Sequence, residues 1–185
     1  MAAKAGEKTG SGVAQATALG VVIEMPSPLE ASLRNWRRRY GGEAAAAVAP
    51  HITLVSGSTT NWKTAVEHVR KVARRCPAFK VSLRGTGTFR PISPVVFLNV
   101  LEGAEACGQL HDELVAGPLL HELSYGYHPH LTIAHEVDDA VMNLAQEELK
   151  GESMEFMVHS IGLFGLDDTG AWSLREELGL GGTSS

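Results

Sequence analysis

The tetrapeptides His51-Ile52-Thr53-Leu54 and His130-Leu131-Thr132-Ile133 constrain this chain more than any other feature. Both read His-x-Thr-x with apolar residues at x, and both follow a proline, Pro50 and Pro129. Each lies in a short apolar run that reads as a strand. Side chains alternate along a strand, so each His and its Thr share one face while the two aliphatic residues share the other. Two such strands side by side would present two imidazoles and two hydroxyls on one surface and anchor themselves by the opposite one. A single His-x-Thr-x is commonplace and usually structural. Two copies in the same apolar, proline-led setting call for a common explanation.

The rest of the chain alternates strand and helix signals. Residues 1–16 are rich in Ala, Gly, Lys, Ser and Thr without periodicity and read as a disordered tail. Residues 17–24 read as a buried strand. Ser27-Pro28-Leu29-Glu30 has the form of a helix start, with Ser at the cap and Pro in the first turn. Leu29, Leu33, Trp36 and Tyr40 continue it as an apolar stripe that Gly41-Gly42 should end, leaving a small Ala-rich loop. Strands are expected near 52–56, 79–83, 95–101, 130–135, 155–163 and 171–176, and further helices near 59–75, 104–120 and 138–150. A glycine-rich turn is expected over 85–91. Each signature strand is followed by a helix and then more strand, a rough internal repeat. The single domain is expected to span 17–178, followed by a flexible tail at 179–185.

Composition excludes several classes of function. The 185 residues are 44% hydrophobic and 20% charged, ordinary for a globular chain. No apolar run approaches the roughly 18 residues of a membrane span, and no secretory signal is visible. The two cysteines, Cys76 and Cys107, are far apart, which fits a reducing cytoplasm and disfavours a disulfide scaffold or a zinc ribbon. A net charge of −5 disfavours coating long nucleic acid but leaves room for a local basic pocket.

Two histidines on either side of one phosphorus can divide the work of phosphoryl transfer. One removes a proton from the attacking oxygen and the other protonates the departing one. Threonine hydroxyls can donate to the non-bridging oxygens, which gain charge in the transition state. No acidic cluster lies near either signature, so no metal or other cofactor is expected.

With Arg37-Arg38-Arg39-Tyr40, Pro50-His51-Ile52-Thr53-Leu54-Val55, Gly87-Thr88-Phe89, Val95-Val96-Phe97 and Tyr127-His128-Pro129-His130-Leu131-Thr132-Ile133-Ala134, the chain resembles the 2H phosphoesterase superfamily, in its 2′-5′ RNA ligase and cyclic phosphodiesterase branch. The resemblance implies an α+β, bilobal fold, with two antiparallel sheets lining a central cleft, helices outside, and pseudo-two-fold duplicated lobes. It implies metal-free action on 2′,3′-cyclic phosphates or 2′-5′ linkages of RNA ends or nucleotides, in a monomer. It makes His51 and His130 catalytic, with His51 the acid and His130 the base, and Thr53 and Thr132 phosphate-binding. Many relatives that act on RNA carry a basic residue three positions after the second threonine. His135 stands there in this chain, which favours hydrolysis over ligation.

Other residues carry weaker expectations. Phe89 and Tyr127 are candidate substrate contacts by stacking, or else core anchors. His128 is a further candidate contact. With His130 it forms His-x-His, which can hold zinc, but no third ligand is evident. His135 should face away from His130. The basic runs 34–39 and 70–75 read as solvated faces, one of which could border the site and steer an anion. The alternative to an enzyme is a module that binds RNA ends or nucleotides without turnover, which the intact histidines and threonines disfavour.

Overall fold

A computed structural model describes residues 16–122 and 124–181. In chain order the elements are β1 (Thr17–Glu24), α1 (Ser27–Ala47), β2 (His51–Thr59), α2 (Trp62–Arg75), β3 (Phe79–Thr88), β4 (Val95–Val100), α3 (Ala104–Val115), β5 (His130–His135), α4 (Asp139–Leu149), β6 (Ser153–Val158), β7 (Ser160–Leu166) and β8 (Trp172–Gly179). All eight strands join in one antiparallel sheet of order β6-β3-β4-β5-β2-β1-β7-β8. The two sheets expected from the sequence are thus one continuous sheet.

That sheet is narrowest in its middle. β1 and β2 pair along their whole length, whereas β2 and β5 meet at one pair, Ile52 opposite Leu131. Four strands lie on each side of this seam, and each side presents a signature strand to it. Helices α1 and α4 pack on the β3–β4–β5 side, and α2 and α3 on the side of β2, β7 and β8. The sides are not the two halves of the chain. β1 and β2 come from its start, and β7 and β8, which complete their side, come from its end. The chain crosses between sides at His159, so the single strand expected over 155–163 is two strands in different parts of the sheet.

Beyond the seam, β2 has to satisfy its backbone without β5. His111 of α3 and residues of the connection after it supply partners. Ser58 and Leu120 exchange backbone hydrogen bonds of 2.9 and 2.7 Å. The Tyr127 hydroxyl donates to Thr53 O (2.9 Å), His111 Nδ1 to Leu54 O and His121 Nδ1 to Ser56 O (both 2.7 Å). Pro118 explains why α3 stops at Val115 rather than near 120, since a proline inside a helix removes a donor and clashes with the preceding turn.

Other boundaries differ from expectation, among them the start of α2 at Trp62 rather than near 59. The glycines at 41 and 42 do not end α1. Gly42 takes φ +76°, a conformation open to glycine, and the alanines beyond resume the helix after the kink, so no Ala-rich loop forms. β3 absorbs most of the glycine-rich turn by bulging between Leu83 and Thr86. At the far end, Gly179 belongs to β8 and Leu180 is buried, its amide bonded to His159 O (2.8 Å), so the expected tail begins later than 179. Residues 1–15 and 182–185, where tails were expected, lie outside the described residues.

Ile52, Leu54, Leu131 and Ile133 are fully buried in the core. Leu131 is the residue through which β5 meets β2, so truncating it both leaves a cavity and loosens the seam. Leu131→Ala should lower unfolding free energy by about 2–5 kcal/mol, measurable by urea denaturation. A loss near zero would mean the seam does not hold the halves together.

Candidate functional site

The two signatures adopt matching local structures. In β2 the partner register jumps from Val55–Val21 to Thr53–Val22, leaving Leu54 as an extra residue. In β5 it jumps from Thr132–Phe97 to Ala134–Val96, leaving Ile133 extra. Each bulge falls on the last residue of its signature. A bulge breaks the alternation of faces, so Leu54 and Val55 are buried consecutively, as are Ile133 and Ala134. The same break turns His135 back toward the face of His130. His135 therefore lines the site instead of facing away from it.

The geometry at the imidazoles also repeats. His51 Nδ1 donates to Ala49 O and His130 Nδ1 to His128 O, each at 2.7 Å. A carbonyl only accepts, so the hydrogen sits on Nδ1 and leaves Nε2 of the neutral ring with its lone pair free. The prolines matter here. Ala49 and His128 precede Pro50 and Pro129, which restricts them to extended conformations and fixes the direction of the accepting carbonyl.

A pocket of about 230 Å³ is lined by Arg37, Val48, His51, Thr53, His130, Thr132 and His135. All four signature side chains expected from the sequence thus meet in one place. Extending the Ile52–Leu131 register by one residue either way sets Thr53 opposite His130 and His51 opposite Thr132. Each imidazole then faces the other strand's hydroxyl, and the two imidazoles lie on a diagonal. Neither threonine hydroxyl has a hydrogen-bond partner among the described residues.

Arg37 is the residue that sequence reasoning left undistinguished among the basic run 34–39. It is 5% exposed, against a free carboxylate pairing for each of its neighbours: Arg34 with Glu30, Arg38 with Glu43 and Arg39 with Glu148. Arg37 has no carboxylate partner among the described residues. Its Nε donates to Ala45 O (2.9 Å) in the helical segment after the Gly42 kink. The clue in the sequence was its place on the apolar stripe, one residue after Trp36 and three before Tyr40.

Burial, and then like charge, sets the electrostatics. Loss of water lowers the pKa of His51, with Arg37 adding to the fall. Loss of water likewise lowers that of His130, helped by His128 and His51. In each ring the bond to the backbone carbonyl opposes the shift.

The remaining candidates divide. Phe89 packs on Phe97, with ring centroids 4.5 Å apart, and both rings stand 5.0 Å from that of His130. They wall one side of that imidazole. Arg90 secures this wall by bonding Asp139 (2.9 Å), Asn143 (3.0 Å) and Gln146 (2.8 Å) on α4. Tyr127 stacks on buried His111 at 4.1 Å and gives its hydroxyl to β2, so it supports the first signature from behind. His128 is exposed, 6.2 Å from His130 between ring centres. Among the described residues no group of three or more His, Cys, Asp or Glu is arranged to hold a metal ion.

Residues 25–170 match the model of the 2′-5′ RNA ligase superfamily, most of the chain and both signatures included. The chain belongs to that superfamily. Within it, the protein named "Putative phosphoesterase" from Halalkalibacterium halodurans is 28% identical over 167 residues, covering 88% of this chain and 96% of that one. A protein of the same name from Bacillus cytotoxicus is 31% identical over 125 residues, covering 66% and 72%. Escherichia coli LigT, solved in complex with 3′-AMP, superposes with a TM-score of 0.67 at 18% identity, over 90% of this chain and 99% of LigT. A Thermus thermophilus structure superposes at 0.62 and 18%. The superfamily fold is therefore shared at levels of identity where little beyond the fold carries over.

The depressed imidazoles have a consequence for stability. Below pH 6.5, the ordinary histidine value, the unfolded chain binds protons that folded His51 and His130 still refuse. Stability therefore rises with pH through the window just below 6.5 and is lost on acidification. NMR titration of the two rings should give midpoints below 6.5, and Arg37→Met should move that of His51 upward. A midpoint above 6.5 in the unmodified protein would contradict this electrostatic account.

Proposed function

We propose that the protein is a metal-independent phosphoesterase that hydrolyses 2′,3′-cyclic phosphodiesters of nucleotides or RNA ends. The observation that carries this reading is the meeting, in one pocket, of two imidazoles oriented alike, two unpartnered threonine hydroxyls and a buried arginine without a carboxylate. Superfamily membership supports the class of chemistry, and the complex of LigT with 3′-AMP is compatible with a nucleotide-sized substrate.

In this reading the phosphate sits between the diagonal imidazoles. Neutral His130 takes a proton on Nε2 from water as the oxygen bonds to phosphorus. Protonated His51 gives its Nε2 proton to the ribose oxygen whose bond to phosphorus breaks, leaving a phosphomonoester. Thr53 and Thr132 donate to the non-bridging oxygens, and Arg37 balances their charge from a site with little competing water. Arg37 also makes His51 a stronger acid. Since one ring must be charged and the other neutral, kcat/KM should trace a bell. Both rings being depressed, its maximum should lie below pH 6.5.

His51→Ala and His130→Ala should each lower turnover about 10²- to 10⁴-fold, with the double variant little worse. Thr53→Val and Thr132→Val should lower kcat more than they raise KM. Activity should survive excess chelator; loss of activity restored by zinc would favour a metal site at His128 and His130 instead. The division of roles is tested with a nitrophenyl phosphodiester, whose leaving group needs no proton. That substrate should rescue His51→Ala and not His130→Ala. Rescue of His130→Ala alone reverses the roles, and rescue of neither removes the acid–base division.

A further inference from the structure

A second cavity, of about 600 Å³, opens directly from the first and shares Val48, His51 and Thr53 with it. It extends over β1, β7 and β8, away from the Phe89–Phe97 wall. Its lining is apolar apart from the signature residues, Ser56 and Glu24. Trp172, 52% exposed, and Phe164 border it. The Trp172 ring lies over Gly20 of β1, where a Cβ would stand in ordinary contact with it at 3.4 Å. A half-exposed tryptophan on a flat, glycine-floored strand surface is an aromatic face left open beside a polar pocket.

We propose that this cavity is the nucleobase subsite of the same active site, with the base stacked on Trp172 and its polar edge turned toward Glu24. The assignment rests on the phosphoester reading, since that reading fixes the phosphate at His51 and His130. Aromatic surfaces stand on either side of the signatures, Phe89 and Phe97 beside His130, and Trp172 and Phe164 in the cavity that reaches His51. Beside His130, Phe97 is 3% exposed and Phe89, half-buried, packs on it and edge-on to the imidazole. Trp172 is 52% exposed, and the cavity it borders reaches His51.

Charge selects the occupant further. Glu24 is the ionisable group of the cavity's lining besides His51, and it stands near Glu177 and Glu30. Partial burial and then those two neighbours push its carboxyl above the usual carboxylate range. A carboxylate in the groove disfavours a second phosphate there, and so the strand of an RNA. An uncharged ring that donates N–H groups suits it, as adenine, cytosine and guanine do. The terminal base enters the groove, and any preceding nucleotide leaves on the other side.

Two substrates separate the base from the phosphate: adenosine 2′,3′-cyclic phosphate and glycerol 1,2-cyclic phosphate, which has the reactive ring but no base. Stacking on an aromatic side chain implies that Trp172→Ala lowers the ratio of kcat/KM for the adenosine over the glycerol substrate about 10- to 100-fold. The loss should sit in KM of the nucleotide. Glu24→Gln should alter the preference for adenosine over uridine substrates. Binding is read separately, in His130→Ala protein, by quenching of tryptophan fluorescence with 3′-AMP. The quench should largely vanish on adding Trp172→Phe, which leaves Trp36 and Trp62 in place. An unchanged substrate ratio together with an unchanged quench overturns the subsite. A Trp172-dependent quench in a protein that hydrolyses neither substrate keeps the subsite and overturns the phosphoesterase reading instead.

Discussion

The single backbone pair between Ile52 and Leu131 is the constraint on which the site depends. Were β2 and β5 zipped along their length, no pocket could open between them. Were they unpaired, nothing would fix one signature against the other. One pair sets the register and lets the strands part on either side of it. The parted strands then leave donors and acceptors to be satisfied, and the loop 116–129 with His111 does so through Tyr127, His111, His121 and Leu120. The pocket is thus a controlled defect in a sheet, sealed from behind by side chains.

Much of this was legible in the sequence because its signals are local. The strand at 130–135 and the helix capped by Asp138 follow from alternation and capping chemistry, and the His–Thr pairs follow from the two-residue period. The failures come where local rules compete with tertiary context. Gly41-Gly42 reads as a stop, yet only Gly42 leaves the helical region, and the alanine run beyond it has enough helix propensity to resume. His135 reads as facing away because a regular strand would turn it so. The bulge at Ile133 reverses this, and its trace was the consecutive apolar pair Ile133-Ala134, matched by Leu54-Val55. The split of residues 155–163 between two sides of the sheet has no local trace at all, since apolar alternation does not say which neighbour a strand will choose.

Arg37 illustrates a different limit. Four arginines lie within six residues, and composition alone treats them as equivalent. Helical phase separates them: Arg34, Arg38 and Arg39 reach acidic partners, while Arg37 falls on the stripe that turns inward. A cation in that position loses hydration and receives one carbonyl in return. In the phosphoester reading, a bound phosphate would return part of that cost.

The interleaving of the chain has a bearing on how the molecule is made. The side of the sheet that carries His51 begins with β1 and β2 and is finished by β7 and β8. The intervening residues build the entire other side, including His130, before β7 and β8 exist. During synthesis β1 therefore waits with one edge unpaired, and Trp172 and Phe164 arrive after every other part of the site. A chain that stopped short of β7 would hold both signatures and still lack the surface beside His51, so the cavity is complete only once β7 and β8 have joined β1.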